Sequence, residues 1–196
     1  MGHREDLLEG AKRCLLAKGF VRTTARDIVK ESGANLASIG YHYGSKDKLL
    51  AEAYIALVGE VSDDWELSDA FGADAGTVPG SLERFREVWS NIIRTMREPD
   101  SIWHLSVEII AMGDQLPEVR DHLARAQREA ARGIIPLFMG GREEDVAEED
   151  VDSIGQLYNT LMTGLIAQWT FDPKTAPGAE QLTEGLRRVI EGVSRS

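Results

Sequence analysis

Two pairs of side chains are spaced for chemistry: His104 with Glu108, and Glu118 with His122, each four residues apart on predicted helices. That separation puts both members on one helix face, where an imidazole and a carboxylate can share a metal ion. Neither pair sits in a pattern of supporting ligands, so both read as ion pairs on the solvent side. The chain carries no G-x-S-x-G, P-loop, H-E-x-x-H or dinucleotide fingerprint. Its single cysteine, Cys14, forbids an internal disulfide and has no zinc spacing. Flanked by Ala11, Leu15 and Leu16, it reads as a small buried hydrophobe. The expectation is therefore no catalytic residue, no metal and no cofactor. An all-α metal- or cofactor-dependent enzyme using the His/Glu pairs is the competing reading.

A different chemistry is written between Thr23 and Lys46, TTARDIVKESGANLASIGYHYGSK. Thr24 is placed to cap a helix whose third residue is Asp27, an arrangement that satisfies backbone N–H groups left over at a helix start. Ile28 and Val29 supply that helix with a buried side. Gly33 ends it, in the left-handed conformation that glycine adopts most cheaply. Asn35 then caps a second helix over Leu36–Tyr43, Gly44 closes it, and Ser45 caps the next from Lys46. Two helices joined by a short glycine-containing turn make a helix-turn-helix, whose second helix can enter the major groove of DNA. That helix offers no Arg, and Asn35 is spent as a cap, so base readout should be modest and supplemented by DNA shape.

The run SGANLASIGYHYGSKDKLL closely resembles the DNA-binding signature of the TetR family of bacterial transcriptional regulators, and the match covers residues 4–55 without a gap. Turn, caps, the aromatic-His-aromatic trio and the trailing Gly-Ser-Lys all recur at fixed offsets. One departure stands out: Gly40 occupies a position where many relatives carry Tyr, which leaves the groove-facing surface bare there. The resemblance implies that Leu36, Ala37, Ser38 and Tyr41 face bases while Ile39 faces the core. It likewise implies phosphate contacts from Tyr41, His42, Lys46 and Thr24.

The charge is unevenly spread in a way that suits this reading. Residues 1–50 hold nine Lys/Arg against six Asp/Glu, a balance of +3, while the other 146 hold thirteen against twenty-seven, a balance of -14. A mildly basic head on an acidic body keeps the body away from phosphates. At 196 residues the chain is long enough to bury a full core. No run of eighteen apolar residues and no apolar leader core is present, so a cytoplasmic protein is expected.

The elements that must position these residues are all helical by their spacing. Nine are expected: Glu5–Lys18, the two of the turn motif, a long one from Lys46, then Ser81–Glu98, Asp100–Met112, Pro117–Met139, Val151–Phe171 and Ala179–Val193. Asp69–Gly80 reads as a loop, and Pro136 should kink or end the seventh helix. The division expected is a DNA-binding domain over 1–47 and a ligand-binding and dimerisation domain over 48–196. From Ser153 to Phe171 there is no charged residue, in a chain that is 28% charged. A helix with no charged face is usually covered on both sides. Leu157, Leu161, Leu165 and Trp169, with Leu186, Val189 and Ile190 of the last helix, are thus expected to form a four-helix contact across a two-fold axis. The TetR family's dimer contact is similar. Trp89, Trp103, His104, Met112, Tyr158 and Met162 are the candidates for a pocket that takes a small apolar molecule. The function expected is a ligand-responsive homodimeric repressor, released by that molecule from a pseudo-palindromic operator in double-stranded DNA, with no membrane partner.

Overall fold

The computed structural model describes residues 3–67, 76–97, 102–112 and 117–195. The all-α expectation holds. Among the described residues, nine helices of eight residues or more run in the order α1 (His3–Lys18), α2 (Ala25–Ser32), α3 (Leu36–Tyr43), α4 (Lys46–Leu67), α5 (Leu82–Met96), α6 (Trp103–Ala111), α7 (Pro117–Met139), α9 (Gln156–Phe171) and α10 (Ala179–Val193). Between α7 and α9 lie a 3-10 turn (Glu143–Asp145), the short α-helical turn α8 (Glu148–Asp150) and a π turn (Val151–Gly155). Among the described residues there is no strand, and no helix is long and apolar enough to cross a membrane. Of the expected loop Asp69–Gly80, residues 69–75 lie outside the described residues; Gly80, with φ 74°, delivers the chain to Ser81, which caps α5.

The chain divides into two compact units. The first comprises Met1–Val61 and Ile102–Ala126. Here Leu7, Ala11, Leu15, Phe20, Ile28, Leu49, Leu50 and Leu105 are buried to 1% exposure or less. Each of the leucine, isoleucine and phenylalanine side chains contributes roughly 1.5–3 kcal/mol by leaving water. Helices α1 and α2 approach closely because Gly10 has no side chain: a Cβ there would lie 2.8 Å from the Cβ of Ser32. One charge is taken inside with them. The Lys12 ammonium pairs with Glu9 at 2.8 Å and with Glu60. Burial pushes its pKa down, but the two carboxylates outweigh burial and hold it above the ordinary lysine value.

The second unit comprises Ser62–Ser101 and Gln127–Ser196. Its centre is a group of rings. Trp89 packs against Phe138 at 5.5 Å between centroids and Phe85 at 6.1 Å, and Phe138 stacks on Tyr158 at 4.0 Å. Helix α7 continues a turn beyond Pro136, to Met139. Three of the carbonyls at this helix end are satisfied one by one. Gly140 N–H donates to Pro136 O, the Arg84 guanidinium to Leu137 O, and Gly80 N–H to Phe138 O. Arg84 is buried for this purpose.

The expected helix Val151–Phe171 needs a correction. Its first five residues, Val151–Gly155, form a π turn, and regular α-helix begins only at Gln156. Gly155 lies against the carbonyl oxygen of Ala131 in α7, closer than any side chain would permit. A wider turn is how the chain accommodates that contact.

Candidate nucleic-acid interface

The site begins with two helix caps. Thr24, in extended conformation, accepts the Asp27 N–H at 3.2 Å on its hydroxyl oxygen, and the Asp27 carboxylate accepts the Thr24 N–H at 3.0 Å. Lys18 donates to the other oxygen of Asp27 at 2.5 Å. The Lys18 ammonium first, and then the Thr24 hydroxyl and N–H, hold the Asp27 carboxyl well below the usual carboxylate range. The short α2 is thus locked at its start, and Gly33, at φ 71°, locks its end.

Asn35 repeats the device for α3 by accepting the Ser38 N–H at 3.0 Å. The eight residues of α3 then divide cleanly. Ile39 and Tyr43 are buried, and the Tyr43 hydroxyl donates to the backbone oxygen of Arg4 at 2.7 Å. On the other side Leu36 is 55% and Tyr41 85% exposed, with Ala37 and Gly40 exposed between them. A Cβ on Gly40 would meet nothing within 4 Å, so a relative's larger residue would project freely where this chain is bare. Ser38 and His42 are half-buried, and the His42 ring meets Tyr41 edge-on at 4.8 Å.

Lys46 occupies a more engaged position than its motif suggests. Its ammonium lies 2.9 Å from Asp47 and 3.4 Å from the carbonyl oxygen of Thr23, over the Phe20 ring. It therefore braces the segment that leads into the Thr24 cap.

Glu108 is placed where neither expectation for it put it. Rather than sharing a metal with His104 or pairing on the solvent side, its carboxylate accepts the Phe20 N–H at 2.6 Å and the Val21 N–H at 3.4 Å. Nothing in the sequence marks this use, because its partners are backbone atoms 88 and 87 residues away. The side chain of Glu118 lies outside the described residues, so the second pair is not placed. Among the described residues no three His, Cys, Asp or Glu cluster in a metal-holding arrangement.

The six pocket candidates divide between the units: Trp103, His104 and Met112 belong to the first, Trp89, Tyr158 and Met162 to the second. Trp89 and Tyr158 both pack on Phe138, and Met162 is buried on α9. The indole N–H of Trp89 is fully buried and has no acceptor among the described residues. The seven interface candidates also separate. Leu157, Val189 and Ile190 are 55%, 62% and 49% exposed, and Leu161, Trp169 and Leu186 are half-buried. Leu165, at 2%, is already spent on the core of its own chain.

Comparison with known proteins agrees with the geometry of the head. Residues 7–53 match the model of bacterial regulatory proteins of the tetR family. Over 98% of this chain and 91% of the relative, the sequence is 35% identical to the HTH-type transcriptional repressor AcnR of Corynebacterium efficiens. The chain belongs to the TetR family. Among solved structures, the proposed transcriptional regulator SCO7518 from Streptomyces coelicolor A3(2) superposes with a TM-score of 0.68 at 18% identity, over 95% of this chain and 97% of that one. A TetR transcription regulator from Haloarcula marismortui gives 0.56 at 18% identity, over 97% and 95%. These two likenesses show the fold. Membership of a TetR family of regulators also sets aside the enzyme reading of the His/Glu pairs.

Proposed function

We propose that the chain is a homodimeric repressor of TetR type, cytoplasmic, whose residues 1–47 bind a pseudo-palindromic operator and whose residues 48–196 dimerise and take a small apolar effector. One observation carries the DNA reading: α3 is capped at its start, anchored through Ile39 and Tyr43, and presents Leu36, Ala37 and Tyr41 outward. A rigidly held helix with an outward face of exposed side chains is what groove contact requires. Thr24, Ser38, His42 and Lys46 complete the proposed phosphate and base contacts. The repressor sense is supported by the description of the Corynebacterium efficiens relative.

Duplex binding should weaken steeply with salt as phosphate contacts release counterions. Tyr41→Ala should weaken it partly by sequence, and Lys46→Ala on all sequences alike. Fluorescence anisotropy measures both, and wild-type affinity in the double variant would remove these residues from the interface. A panel of lipophilic compounds that changes neither tryptophan fluorescence nor DNA affinity would leave a repressor without an effector.

The dimer reading rests on the apolar residues that α9 and α10 leave uncovered in one chain. Val189 and Ile190 changed together to Glu should halve the mass seen by light scattering. A dimer that survives this pair places the interface elsewhere. These positions are chosen over Leu165, because a charge at that buried residue would unfold the chain rather than dissociate it.

A further inference from the structure

We infer that Glu108 is a positioning residue for operator binding: from α6 it holds the α1–α2 turn, and through it the Thr24 cap, where DNA contact needs them. The inference rests on the DNA-binding reading above and adds a residue that its motif does not contain.

Four observations within the first unit converge on the turn. Gly19, at φ 79°, closes α1, and a Cβ there would lie 2.6 Å from a Glu108 oxygen, so the carboxylate comes this close only because residue 19 has no side chain. The other carboxylate oxygen accepts Phe20 N–H at 2.6 Å and Val21 N–H at 3.4 Å, two donors that would otherwise follow a helix end without partners. Next along the chain, the buried Thr23 hydroxyl donates to Gly19 O at 2.7 Å, and Thr23 O faces the Lys46 ammonium. Residue 24 is the cap itself. From the short Phe20 N–H bond at Glu108 to the cap there are thus only four peptide units of backbone.

The helix carrying Glu108 is itself fixed to the same unit. Ser106, buried, shares a hydrogen bond of 2.8 Å with the Tyr54 hydroxyl of α4, and Leu105 and Ile109 are buried on either side. A carboxylate on so firm a base can dictate the position of a turn. Glu108 lies far along the sequence from the recognition motif and is not offered as a DNA contact, so its effect must be indirect.

The test uses the full chain and a labelled duplex selected by the wild-type protein from a randomised library. Glu108→Asp keeps the charge but withdraws the carboxylate, Glu108→Ala removes it, and Glu108→Gln keeps an acceptor oxygen at the original reach. The expected result is an affinity loss of about tenfold for Glu108→Ala, a smaller one for Glu108→Asp, and near wild-type binding for Glu108→Gln. Amide exchange at Phe20 and Val21 should speed up in the first two, while exchange across α5 and α9 stays unchanged. If Glu108→Asp and Glu108→Ala bind the duplex like wild type, the inference is overturned. It is equally overturned if affinity falls only in step with the unfolded fraction. Should Glu108→Ala fail to fold, Glu108→Asp against Glu108→Gln decides. Failure of the wild-type chain to select any duplex would instead sink the DNA-binding reading.

Discussion

The start of the chain and the ring cluster of the second unit are held by opposite means. Around α2 and α3, helices of eight residues are fixed by directional contacts: the Thr24–Asp27 box, the Asn35 cap, the Lys18–Asp27 pair and the Tyr43–Arg4 bond. Around α5 and α7 the work is done by rings, with Trp89 wholly buried between Phe85 and Phe138. Isolated helices of two turns are marginal in water, so the first region needs every cap. The benefit is that each exposed side chain on α3 has one address. The gain from burying those rings is non-directional, which suits a region that must fill space rather than present a surface.

The largest expected effect tests the second half of this contrast. Trp89→Ala should cost about 3–5 kcal/mol in urea unfolding, because a buried ring leaves a cavity that its neighbours only partly fill. Trp89→Phe should cost far less, since it also removes a buried indole N–H that has no acceptor among the described residues. A small loss for Trp89→Ala would mean that the ring cluster is not the mainstay of its unit.

A smaller effect sharpens the first half. Thr24→Ala should cost about 1 kcal/mol, the usual value of an N-cap, and weaken duplex binding as α2 frays. An unchanged melting curve and unchanged affinity would show that tertiary packing alone holds α2.

The smallest effect is one of pH. Because Asp27 is held well below the ordinary carboxylate value, its ionised form favours the folded state. That contribution is fully present above the unfolded pKa of about 4 and fades as pH falls toward the lower folded value. In an NMR titration the Asp27 carboxyl should thus protonate after the chain's unpaired carboxylates. Asp27→Asn should flatten part of the acid dependence of stability; identical acid curves for the two proteins would remove Asp27 from the account.

What was legible in advance follows from how far each signal reaches along the chain. Thr24 with Asp27, Asn35 with Ser38, and Gly33 at its helix end all act within four residues, so residue type and spacing reveal them. The uncharged run in α9 was equally visible, but not that Leu165 would be buried while Leu157 stays exposed, nor that the helix would open with a π turn at Gly155. Those outcomes depend on the neighbour each face meets, and here the neighbour at Gly155 is the Ala131 carbonyl of α7. The pocket candidates show the same limit. Apolar side chains at helical spacing name a buried face without saying which others join it, and the six fall in two units.

Sequence alone therefore determined the all-helical class, the capped helix-turn-helix, the family and the outward face of α3. These follow from local backbone preferences and from a motif of fixed offsets. Tertiary structure alone decided that Glu108 would hold the Phe20 and Val21 amides, that Arg84 would satisfy the Leu137 carbonyl, and that Trp89 would be enclosed. A backbone amide or carbonyl has the same chemistry at every position, so only the folded path of the chain selects which distant side chain reaches it.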